Sequence, residues 1–112
     1  MTRLENYLAE IAEKSDSYFQ AHLAKEDLVR VRRLAEMARA AETLEALRHD
    51  ALYIGWTPGD LRTGELKDQL IALIDAMHAQ ERAPEDPAAA DRLMEAWKEF
   101  HRERIRVLIH CL

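Results

Sequence analysis

The side chains able to do chemistry are five imidazoles, one thiol and a set of arginines. His22 falls on a helical stripe with Leu4, Leu8, Ile11, Ser15 and Tyr18. His101 falls on another with Leu93, Met94, Trp97, Phe100, Ile105, Leu108 and Leu112. An imidazole on an apolar face either bonds a local carbonyl or hydroxyl, or serves as a metal ligand, a haem ligand or a proton-transfer group whose pKa burial shifts. On the metal-ion or haem reading, His22 and His101 are the ligand pair and His78 a third ligand. The spacing around His78 is Asp75-x-x-His78, whereas di-iron bundles need Glu-x-x-His on two helices and two further glutamates. Glu45 and His49 stand one turn apart, which is also the spacing of an ordinary surface pair. The absence of Cys-x-x-Cys-His excludes covalent haem by its usual signature.

Nucleophilic chemistry has little to build on. The single cysteine, Cys111, is followed only by Leu112, and its neighbour His110 points about 100° away on a helix. No glycine-rich phosphate loop is present. Arg30, Arg32 and Arg33 form a basic cluster suited to an anion, with Glu36 as the nearest following acid. Lys98, Arg102, Arg104 and Arg106 form a second, but Glu95, Glu99 and Glu103 interleave at pairing distances, which reads as a self-compensated solvated face. A net charge of -5 argues against broad nucleic-acid binding, because neutralising phosphates needs a concentrated positive surface. The spacing from Arg104 to His110 is similar, over seven residues, to the Arg-x5-His ribonuclease motif of HEPN-type helical domains. Ile105 stands where that motif carries a polar residue, so the family is not assigned.

The elements that must position these groups are helices. Alanine, leucine, glutamate and arginine dominate, and valine occurs only at 29, 31 and 107. All glycines and prolines lie between Gly55 and Pro87, so the strong breakers are confined to two connections. Asp86 followed by Pro87 is a helix start, an N-cap before a proline in the first helical position. The Leu4-Leu8-Ile11 stripe loses its apolar character when extended past His22. A new stripe of Leu28, Val31, Leu34, Ala35, Ala38, Ala41, Leu44, Leu47 and Ala51 follows. The change of phase places a turn at residues 24–27; the rival position is 15–17, where Ser17 and Gln20 have capping-box spacing. The expected fold is all-α, one domain over residues 1–112, an antiparallel four-helix bundle with helices near 3–24, 27–54, 60–82 and 87–111.

The end of the chain points to a partner. Residues 105–112 are apolar around much of the helix, and such a segment needs burial in its own core or against another molecule. The expectation is a non-enzymatic protein–protein interaction module of adaptor, chaperone or inhibitor type, without a cofactor. It is expected to self-associate as a homo-oligomer through Trp97, Ile105, Leu108, Ile109 and Leu112. An enzyme using a buried histidine and arginines would instead need an inward-facing cluster of charges. A lone cysteine and the lack of an 18-residue apolar run suit a cytoplasmic protein with no membrane span.

Overall fold

A computed structural model describes residues 2–56 and 63–111; among them the chain is all-α, with five helices packed around one core. The first, α1 (Arg3–Lys14), is opened by the Thr2 hydroxyl, which accepts from the Glu5 amide at 3.2 Å. Glu5 in its first turn and Lys14 in its last complement the helix dipole. Leu4 and Leu8 are fully buried and Ile11 packs against the same core.

The first break lies at residues 15–17 and not at 24–27. The Ser15 hydroxyl accepts from the Ser17 amide, and the Ser17 hydroxyl caps α2 (Tyr18–Ala40) by accepting from the Gln20 amide at 3.3 Å. Serines here offer the backbone local partners that residues 24–27 lack. Asp27, placed in the expected turn, is instead a core residue, flanked on the inward stripe by Leu23, Ala24, Val31 and Leu34.

A second correction concerns the expected helix over 27–54, which is two. Backbone at Ala41 and Thr43 is extended, and Thr43 caps α3 (Leu44–Ala51) by accepting from the Ala46 amide at 3.1 Å. The end of α2 is held by a side chain distant in sequence: Arg82 donates to the Ala41 carbonyl at 2.7 Å. Arg48 of α3 makes two 2.7 Å bonds to Asp75 of α4 (Thr63–Arg82), which fix α3 on that helix and hold the guanidinium pKa above its ordinary value. Past α3, Gly55 takes φ 76°, and Trp56 turns inward to meet Phe100 edge-on at 5.6 Å. The expected start of the next helix at residue 60 lies outside the described residues.

The last helix, α5 (Pro87–Cys111), starts where expected, with the Asp86 carboxylate accepting from the Ala88 amide at 3.0 Å. Successive helices reverse direction, but with α3 inserted there are five segments where four were expected. The arrangement is therefore not antiparallel throughout. Arg3 pairs with Asp91, Tyr7 meets Trp97, and Ile11 and Ile105 line one cleft, so α1 and α5 run parallel. Arg39 pairs with Glu81 at 3.1 Å where α2 and α4 both end, so these two are parallel as well. No helix among the described residues is long and apolar enough to cross a membrane.

Candidate functional site

Asp27 projects from α2 into the interior, where full burial of a lone carboxylate would be prohibitive. Arg104 of α5, 1% exposed, answers it through a fork: Nη1 to Oδ1 and Nη2 to Oδ2, both 2.8 Å. The Trp97 indole Nε1 donates to Oδ2 at 3.2 Å, and Arg30 approaches Oδ1 at 3.4 Å from the edge. The guanidinium also lies over the Phe100 ring, 5.3 Å from its centroid. The pair thus joins α2 to α5 with most of its hydrogen-bonding capacity used, the Arg104 Nε being left without a partner.

His101 extends this network to the surface. Its Nδ1 lies 2.7 Å from Arg104 Nη2. A guanidinium can only donate, so Nδ1 accepts and the neutral ring carries its proton on Nε2. Burial lowers the His101 pKa below its ordinary value, reinforced by the charge of Arg104 and opposed by that of Asp27. The ring stacks on Trp97 at 4.8 Å and 11°, and Tyr7 meets Trp97 edge-on at 5.7 Å.

Above these rings lies a cleft of about 410 Å³ between α1, α2 and α5. Its apolar wall is Tyr7, Ile11, Ala24, Trp97 and Ile105; its polar edge is Gln20, Lys98, His101 and Arg102. The volume is that of a small-molecule pocket. Among the described residues, two cations and no carboxylate line it. Chemically the arrangement offers a fixed N–H donor and positive charge beside an apolar floor.

The residues singled out in sequence are dispersed. His22 is exposed, paired with Glu26 at 3.0 Å and stacked on Tyr18, and His78 lies beside Arg82 at 3.3 Å. Among the described residues no group of three or more His, Cys, Asp or Glu side chains is placed to hold a metal ion, so His22, His78 and His101 are not brought together as ligands. Arg30 is committed to Glu26 and Asp27, and Arg32 approaches Glu5 at 3.8 Å. With Arg33 exposed on the same helix, the three fan around α2, because consecutive positions turn by about 100°. Of the expected contact residues, Trp97 is a buried core residue, Ile105 and Leu108 are half-buried, Ile109 is 63% exposed, and Leu112 lies outside the described residues. Arg104, expected on a solvated face, is inside, while Arg102 and Arg106 do pair on the surface with Glu99 and Glu103. The sequence reading missed Asp27 and Arg104 as partners. The signal available was an opposite charge on each of two otherwise apolar stripes. Comparisons with protein-family models, curated proteins and solved structures returned no match.

Proposed function

We propose that this chain is a non-enzymatic protein-interaction module that pairs with a second copy of itself through the last turns of α5. One observation carries the reading: α5 outruns the helix that lies parallel to it. Ile11 and Ile105 face one cleft, yet α1 ends three residues past Ile11 whereas α5 continues through Cys111. Leu108 and Ile109 continue the cleft-side stripe into that overhang, with Ile109 largely in water. Tyr18 and Phe19, 87% and 50% exposed, stand at the same end of the molecule, at the start of α2. An apolar helix edge of this kind gains most by meeting an apolar edge. A copy related by a two-fold axis supplies an identical one.

The test is sedimentation equilibrium of the whole chain across a range of protein concentrations. The wild type is expected to dimerise. If each Ile109 contributes about 1.5 kcal/mol of burial across a symmetric contact, Ile109→Asp raises the dimer Kd about a hundredfold with unchanged circular dichroism. Leu108→Asp is expected to act in the same direction; loss of helicity in that variant would assign Leu108 to the internal core. A wild type that stays monomeric at all concentrations would overturn self-association.

A further inference from the structure

The polarity of the cleft between α1, α2 and α5 differs from that of two other surface depressions on the molecule. One, of about 680 Å³, carries Glu5, Glu36 and Glu81 among its arginines. Another, of about 630 Å³, carries Asp68, Asp75, Glu95 and Glu99 around a single Arg92. The α1–α2–α5 cleft alone of these three has cations with no carboxylate, in a chain whose net charge is -5. Among the described residues that line these three depressions, cations stand without a lining carboxylate only here.

Its cations can also be redirected. Arg102 pairs with Glu99 at 2.9 Å, but both side chains are about half or more exposed, and such pairs are worth little in water. Lys98 Nζ sits 5.8 Å from the Tyr7 centroid, at the aromatic wall. His101 has Nδ1 turned inward to Arg104, which leaves Nε2–H as the ring donor on the cleft side. That donor is held by the buried Asp27–Arg104 fork, so its orientation does not depend on a ligand. Three of the lining side chains are rings, which suit a flat apolar body.

We propose that this cleft binds a small aromatic carboxylate. The ring system lies against Tyr7, Ile11 and Ile105, above the buried Trp97 indole, and the carboxylate accepts from Lys98, Arg102 and His101 Nε2. The inference does not require self-association: Lys98 and Arg102 precede the overhang of α5, and Ile105 is shared between the cleft and the stripe that continues into it.

The experiment is isothermal titration calorimetry and ¹⁵N–¹H NMR titration of the full chain with three probes of equal body: 2-naphthoate, 2-naphthol and 2-naphthylmethylammonium. The expected result is naphthoate binding at least tenfold tighter than naphthol, no saturable binding of the ammonium, and shift changes centred on Tyr7, Trp97, His101 and Ile105. Lys98→Gln with Arg102→Gln, at exposed positions that leave the fold intact, should bring naphthoate down to the naphthol affinity. Ile105→Trp, which fills the cleft, should abolish both. Equal affinity for all three probes would overturn the proposal. So would naphthoate binding that survives the Lys98/Arg102 exchange, or shift changes centred elsewhere.

Discussion

Asp27 and Arg104 are 77 residues apart in sequence and almost completely withdrawn from water, so removal of either charge strands the other in the interior. Breaking such a pair costs about 3–5 kcal/mol, whereas replacing both ends with apolar groups is often neutral. Asp27→Ala is therefore expected to be severely destabilised in urea denaturation. Asp27→Leu with Arg104→Met should recover part of that loss, leaving about 1–3 kcal/mol for the Trp97 indole, which loses its acceptor. A double mutant no more stable than Asp27→Ala would show that the fork supplies more than mutual neutralisation. His101 belongs to the same scale. Its folded pKa is below 6.5, so between that pKa and 6.5 the unfolded chain binds more protons than the folded one. The His101 contribution to stability is then full above about pH 6.5 and falls on acidification until the folded pKa is passed. Denaturation midpoints measured from pH 7.5 downward should fall more steeply for the wild type than for His101→Gln. Parallel curves would remove His101 as the source. Neither role was legible locally. Asp27 falls in the expected turn at residues 24–27 and Arg104 on an expected solvated face, and each takes its meaning from the other.

At the scale of elements, the helix boundaries rest on hydroxyl caps. Ser17 and Thr43 each satisfy one of the amides that an opening helix leaves free. Ser17→Ala and Thr43→Ala should each cost about 1 kcal/mol, read as a lower thermal midpoint. The two effects should add, because the caps share no partner. A silent Thr43→Ala would mean that the break after Ala41 is imposed by packing alone. These elements were unequally readable. Asp86-Pro87 announced α5, because both the cap and the proline act locally. The break at residues 15–17 carried a capping signal but was outweighed by a change in stripe phase, since the first stripe turns polar past His22 and a new one starts at Leu28. The break at 41–43 sits inside an unbroken apolar rhythm, and Arg82, whose guanidinium bonds the Ala41 carbonyl there, comes from another helix.

At the scale of the whole molecule, α3 changes the architecture by adding one reversal, which sets α2 beside α4 and α1 beside α5 in parallel pairs. The break at residues 15–17 ends α1 early, and the parallel pairing then leaves the last turns of α5 uncovered along that side. Ile109→Asp is thus expected to weaken association while the unfolding free energy from urea denaturation, measured where the protein is monomeric, stays within about 0.5 kcal/mol of wild type, as for other exposed substitutions. What the sequence determined by itself was the all-helical class, the place of the breakers, the start of α5 and the apolar character of its end. Each of these follows from propensity, capping or periodicity acting within a few residues. Which polar residues are inside, where α2 stops, which helices run parallel and which side chains gather at the cleft were decided only in the tertiary structure. Those outcomes depend on partners dozens of residues away, and a charge reads as solvated until the opposite charge that buries it has been brought alongside.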